Sequence, residues 1–267
     1  MQRLSLFLVM LFSFQEVYSL VEIDDAKTQY PLVLVPGMSG FDNLFGYAYF
    51  GQMPDRLTDN GAKVYVVKHS SVHGVEYRGE QLYRWLKKWG HEKYNLIGHS
   101  QGGLDARYVR AKYPELVASV TTVSTPHRGA QLADFLYEKI GAIPLVATMV
   151  WQTGDVCAYA VGVLSGNWQW QNFKRATMSL TKKWLKEFNE KHEASLNLES
   201  QMVSPPIFSC GTIDVKPSGV TDLCGIVMKW VGWLFHGNED NDGLVAKNSM
   251  KCGEWIGEIA GAHHLFP

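Results

Sequence analysis

Neither sign of charge dominates the 267 residues, since 25 Lys and Arg stand against 26 Asp and Glu, a formal net charge of −1. A surface without a field of one sign has little with which to neutralise phosphates, so nucleic acid is not an expected partner. Cysteine is scarce. Cys157, Cys210, Cys224 and Cys252 are too few for a disulfide-built scaffold, and none forms the Cys-x-x-Cys pair of a zinc knuckle. Repeats, low-complexity tracts and Pro/Ser-rich linkers are also missing, which favours one domain. The apolar share is high, 46% with many aromatics, so a large core is expected and wholesale disorder is excluded.

Arg3 precedes an apolar run from Leu4 to Phe14, and Val17 and Ser19 lie where a signal peptidase reads small side chains. The run is too short to span a bilayer. It predicts a secretory signal peptide over residues 1–19 and a secreted mature chain over 20–267; a buried N-terminal helix is the alternative. Secretion would place the four cysteines in an oxidising compartment, with their pairing left open.

Short apolar stretches bounded by turn residues predict strands at Tyr30–Val35, Ala62–Val67, Lys93–Ile97, Val117–Val123 and Pro206–Cys210. Helical patterns lie between them. Glu80–Trp89 puts Leu82, Trp85, Leu86 and Trp89 on one face, Leu104–Tyr113 stops before Pro114, and Leu180–Phe188 carries a stripe of Leu180, Trp184, Leu185 and Phe188. Strands alternating with helices predict an α/β fold with a mostly parallel sheet covered on both faces. From Ile140 to Phe173 the only charged residue is Asp155. Gly141, Pro144, Gly154, Gly162 and Gly166 punctuate this stretch, so a single helix is not expected. Glycine and Asp155 argue against a membrane span. Buried core helices are one reading and an apolar lid over a lipid site, at about residues 140–173, is the other.

The strongest local signal is Gly98-His99-Ser100-Gln101-Gly102, a G-x-S-x-G sequence that follows an apolar strand and opens a helix. The turn of such an elbow is too tight for side chains at the two glycine positions. It would present the Ser100 hydroxyl above the sheet at a helix N-terminus, where backbone N–H groups favour developing negative charge. A serine hydroxyl needs a base to become a nucleophile. In elbow enzymes the acid and then the His follow the Ser along the chain. Asp242 in a polar turn, with Asp240 as its rival, is the candidate acid, and His236, His263 and His264 lie downstream of the serine. Spacing alone does not choose among them. Two backbone donors are needed for an oxyanion. Gln101 follows the nucleophile, and Met38 lies in the Pro36-Gly37-Met38-Ser39-Gly40 turn after the first central strand.

At these residues the chain resembles the secreted bacterial triacylglycerol lipases of the Pseudomonas/Burkholderia/Proteus type. The resemblance runs from about Tyr30 to His264. It includes Tyr30–Val35, Gly37-Met38-Ser39-Gly40-Phe41-Asp42-Asn43, Arg78-Gly79-Glu80-Gln81-Leu82, Asn95–Gly103, Thr125-Pro126-His127-Arg128-Gly129 and Asn241-Asp242-Gly243-Leu244-Val245. It implies the α/β-hydrolase fold with a helical lid and a triacylglycerol lipase. Ser100 would be the nucleophile, Asp242 the acid, His264 the base because it is followed by Leu265, and Met38 and Gln101 the oxyanion donors. The implied substrate is a lipid ester at a lipid–water interface, handled by a monomer that needs no redox or organic cofactor. A folding chaperone is the one protein partner the resemblance leaves open.

Three departures stand out. Pro36 replaces the histidine usual before the oxyanion loop's glycine, removing a backbone and a side-chain donor. The family's structural calcium would find Asp222 at its first acidic position but Phe266 at its second, and Phe266 offers no oxygen ligand beyond its backbone. The sequence ends at Pro267, where the family continues. Two other readings use the same residues: a carboxylesterase or thioesterase on soluble esters, and an inactive lipase-like protein that only binds lipid.

Overall fold

Parallel pairing organises the protein. A computed structural model describes residues 26–40, 43–44, 47–193, 205–219 and 222–264. The expected signal peptide and Phe266 lie outside these residues. Strands β1 (Leu32–Val35), β4 (Val64–Val66), β5 (Tyr94–His99), β6 (Val117–Val123), β7 (Ile207–Ile213) and β8 (Glu254–Ala260) form one six-stranded sheet. Their spatial order is β4-β1-β5-β6-β7-β8, and every neighbouring pair is parallel. A separate antiparallel pair joins β2 (Asn43–Leu44) to β3 (Tyr47–Ala48).

The predicted strands are found with small shifts at their ends. Central strands of a parallel sheet are covered on both faces, so β1 is buried at all four positions and reads as an unbroken apolar run. The sequence pattern does not predict the edge strand β8. It carries Glu254, Glu258 and Gly257 and exposes Ile256 and Ile259, so it has neither an apolar run nor clean alternation.

Helix α1 is Met53–Asp59, α2 is Val75–Trp89 and α3 is Gln101–Lys112. Helix α2 buries Leu82 and Leu86, turns Lys87 and Lys88 outward and ends on Gly90 in the left-handed region. Its Gly79 permits close packing against α3, where a Cβ would lie 2.4 Å from the Tyr108 ring. Helix α3 is buried from Gln101 to Arg110. A helix enclosed on all sides has no amphipathic stripe, which is why the sequence pattern places its start too late.

Beyond β6 lie α4 (Gln131–Asp134), a π-helical turn at Phe135–Ile140, α5 (Pro144–Leu164), α6 (Phe173–Met178) and α7 (Lys182–Glu193). The apolar stretch is not one helix, as expected: Pro144–Leu164 forms a 21-residue helix that runs through Gly154 and Gly162, and residues 165–172 lie outside any helix. A helical glycine costs about 1 kcal/mol relative to alanine, too little to break a long helix that opens on a proline. Gly154 and Gly162 instead allow close approach: a Cβ at Gly154 would lie 2.4 Å from the Phe173 ring, and one at Gly162 would lie 2.7 Å from the Asn167 carbonyl oxygen. Leu145, Met149 and Val156 are exposed on α5, and Trp168 and Trp170 follow it.

A second apolar helix, α8 (Leu223–His236), exposes Trp230, Trp233 and Leu234; α9 (Lys247–Met250) precedes β8. The Phe235 ring of α8 meets Phe135 edge-on at 5.7 Å, and Tyr137 lies 6.4 Å from Trp151 of α5. The two exposed helices are therefore bridged by the π-helical turn. Among the described residues no helix is long and apolar enough to cross a membrane.

Candidate active site

In parallel sheets, loops at the carboxyl ends of the strands converge on the ligand-binding side. Ser100 stands immediately after β5 with φ 53° and ψ −127°. A non-glycine residue holds that conformation only when its surroundings force it. Here Ser100 N–H donates to the Val123 carbonyl at 2.9 Å, and Gly103 N–H donates to the Ser100 carbonyl at 3.1 Å. The flanking glycines are sterically required. A Cβ on Gly98 would lie 2.5 Å from the Gly102 backbone, and one on Gly102 would lie 2.1 Å from the Val35 carbonyl oxygen.

The Ser100 hydroxyl lies 2.7 Å from His264 Nε2, and His264 Nδ1 lies 2.7 Å from Asp242 Oδ2. Asp242 is fully buried. Its Oδ1 accepts N–H groups from Leu244 at 3.1 Å and Val245 at 2.8 Å. Burial pushes this carboxyl up, but the His264 charge and hydrogen bond, with the two backbone donors, outweigh it and hold the group below its ordinary range. The backbone N–H of His264 also donates to the Asp242 carbonyl at 2.8 Å, which fixes the two loops against each other. Of the two adjacent histidines, His264 is the one bonded to Ser100; His263 is buried near the charge of Asp222. Asp240 is exposed and reaches Lys247 at 3.5 Å.

Gln101 opens α3, and the Met38 turn lies against Ser100. A Cβ on Gly37 would be 2.8 Å from Ser100 Cβ. Although Pro36 contributes no donor, the turn is held from both sides. Arg78, fully buried on α2, donates through Nη2 to the Pro36 carbonyl at 2.5 Å and through Nη1 to the Gly37 and Ser71 carbonyls at 3.0 Å. Its Nε donates to Asp105 Oδ2 at 2.8 Å, so the buried charge is paired. The Tyr49 hydroxyl accepts Gly37 N–H at 3.0 Å and lies 2.6 Å from His99 Nδ1. Burial and the His264 charge lower His99 to about 3, keeping that imidazole neutral.

These holding groups were not identified as such from the sequence. Arg78 leaves a trace there: it sits four residues before Leu82 and eight before Leu86, a charge on the apolar face of a helix. Tyr49 and His99 leave none, because their contact joins segments 50 positions apart.

A family model described as alpha/beta hydrolase fold matches residues 30–141. A triacylglycerol lipase of Vibrio cholerae is 32% identical over 98% of this chain and 86% of its own length. The chain belongs to the triacylglycerol lipase family. A lipase of Pseudarthrobacter phenanthrenivorans is 48% identical over a shorter region, 45% of this chain and 40% of the relative. Among solved structures, a metagenomic carboxyl esterase superposes with a TM-score of 0.64 at 17% identity, covering 94% of this chain and 70% of its own, and so shares the fold.

Asp222, the calcium ligand that the resemblance offers, is held by its own helix end. Asp222 is the N-cap of α8. Its Oδ1 accepts Gly225 N–H at 2.7 Å, and its Oδ2 accepts Ser218 N–H at 2.9 Å. Both oxygens are thus engaged by the helix end and the preceding turn. Among the described residues no group of three or more His, Cys, Asp or Glu side chains is placed to hold a metal ion. Cys157, Cys210 and Cys252 carry free thiols.

Proposed function

We propose that the protein hydrolyses long-chain acylglycerols through an acyl-enzyme on Ser100. The observation that carries this reading is the Ser100–His264–Asp242 relay, with both contacts at 2.7 Å. The Ser100 hydroxyl oxygen attacks the ester carbonyl carbon while His264 Nε2 takes its proton. Asp242 holds the imidazole in the tautomer that exposes Nε2 and stabilises the imidazolium, without taking the proton itself. The N–H groups of Met38 and Gln101 receive the oxyanion, each worth about 2.7–4 kcal/mol where such donors have been removed. His264 then protonates the departing alkoxide, and water repeats the sequence on the acyl-enzyme.

The preference for lipid over soluble ester rests on the cover. Ser100 and His264 are only 8% and 4% exposed, so a long acyl chain reaches them only when something moves. Segments following β6 and β7 expose apolar side chains while the nucleophile stays shielded. A large apolar patch is unusual on a soluble monomer and marks a docking surface. Laying several hundred Å² of it on lipid would contribute several kcal/mol at ~25 cal/mol per Å², enough to shift a closed-to-open equilibrium by orders of magnitude. The predicted leader over residues 1–19 accords with action outside the cell.

Hydrolysis of esters of increasing chain length, followed below and above their solubility limits, tests this function. A jump in rate as emulsion forms is expected. Smooth saturation on dissolved short esters, with no rise at the interface, would instead favour a soluble-ester hydrolase.

A further inference from the structure

Ser124, at the carboxyl end of β6, is buried and non-glycine, yet its φ is 51°. Backbone strain of this kind persists when neighbouring groups over-determine it, and it clusters at functional sites. Ser124 N–H donates to the Cys210 carbonyl at 3.0 Å, tying the strained residue to β7. Its side chain meets a second buried hydroxyl residue, Thr212, near the end of β7. Thr212 N–H donates to Ser124 Oγ at 3.2 Å, and the two hydroxyl oxygens are 3.1 Å apart. Thr212 Oγ1 lies 3.4 Å from Asp242 Oδ2, the same oxygen that receives His264 Nδ1.

The direction of these bonds follows from the inventory of donors. An ionised carboxylate only accepts, so the Thr212 hydroxyl proton points at Asp242. Thr212 oxygen therefore accepts from Ser124, whose own oxygen takes Thr212 N–H. The result is a one-way chain, Ser124 to Thr212 to Asp242, in which each hydroxyl polarises the next in a dry environment. The last contact is long in the resting enzyme, and catalytic hydrogen bonds of this kind commonly tighten when substrate is bound.

We infer that Ser124 and Thr212 are positioning residues for the catalytic acid, with the strained Ser124 orienting the Thr212 hydroxyl that steadies Asp242 beneath His264. The inference rests on the triad reading above. The two hydroxyls spread the carboxylate's charge most when the imidazole is neutral. Removing them raises the proton affinity of the Asp242–His264 pair as a unit.

Thr212→Val, which keeps the shape and removes the hydroxyl, is expected to lower kcat about tenfold with KM little changed, as for loss of one hydrogen bond to a charged group. The acid limb of kcat/KM should move to higher pH, and Thr212→Ser should restore both. Ser124→Gly relieves the backbone but takes the acceptor from Thr212 N–H, and should lower kcat about threefold, a partial effect through a neighbour. The Nδ1 proton resonance of His264 should move downfield in Thr212→Val, a readout that does not need turnover. An inert wild type would contradict the hydrolase reading, and the resonance would still test the network. Wild-type kcat, pH profile and resonance in folded Thr212→Val would overturn the inference, as would a Thr212→Ser variant as impaired as valine. Should Thr212→Val fail to fold, Ser124→Gly with unchanged kcat and resonance would overturn it.

Discussion

Ser100 Oγ and His264 Nε2 stand 2.7 Å apart although 164 positions separate them in the chain. The separation is bridged by the sheet: β5 delivers the serine to its carboxyl edge, and the backbone bond from His264 to Asp242 brings the histidine back over it. Replacing Ser100 with alanine should abolish hydrolysis with the fold intact, a loss on the order of 10⁶ in turnover for a nucleophile of this kind. His264→Ala should be as severe and His263→Ala mild. Turnover numbers on one soluble ester decide, and the reverse ranking of the two histidines would contradict the assignment.

Asp242→Asn should cost about 10⁴ in kcat, because an amide stabilises the wrong imidazole tautomer. Asp240→Asn should leave turnover near the wild-type value, since Asp240 lies at the surface beside Lys247. Equal losses in the two variants would show that the acidic turn acts only through its overall charge.

Buried histidines set the acid stability. Burial lowers His69 and His73 to about 4 and His99 to about 3, with Arg78 adding to the first two. Between about pH 6.5 and 4 the unfolded chain takes up protons that the folded chain refuses, so stability falls as pH drops through that window and is level above it. Asp242 adds a loss only below about pH 4, as its depressed carboxylate is forced to protonate. Urea unfolding across pH 4 to 8 should show this slope, and His69→Asn should reduce it by about one proton. A slope unchanged by that substitution would contradict the account of His69.

Chelation should not matter. The Asp222 carboxylate is engaged at the start of α8, and calcium takes several oxygens. Melting curves with chelator and with added calcium should superimpose. A large chelator-induced drop would mean that backbone carbonyls complete a site around it.

The exposed apolar helices should separate interfacial from soluble turnover. Trp230→Ser with Trp233→Ser on α8, or Leu145→Ser with Met149→Ser on α5, should reduce emulsion hydrolysis severalfold while leaving a dissolved short ester nearly unaffected. Parallel assays on the two substrates read the difference. Equal loss on both would place these side chains in the fold rather than at the lipid surface.

The elbow was legible because its constraint is local. Gly98 and Gly102 are needed where a Cβ would strike backbone, and that requirement is written in five consecutive residues. The choice of His264 over His263 needed the resemblance, since one position along a chain shifts no composition or period. Helix α8 is not legible in the sequence because Ile226, Val227, Met228, Trp230, Val231, Trp233 and Leu234 surround it and leave no single apolar stripe. The Arg78 clamp, the Tyr49–His99 contact and the Ser124–Thr212 pair are long-range meetings of ordinary residue types. Only the folded arrangement brings them together.

The most direct test of the central claim is labelling with a fluorophosphonate followed by mass spectrometry of the modified peptide. The account predicts near-stoichiometric modification at Ser100, lost in Ser100→Ala and strongly slowed in His264→Ala. Modification of another residue, or none in a folded wild-type protein, would contradict it.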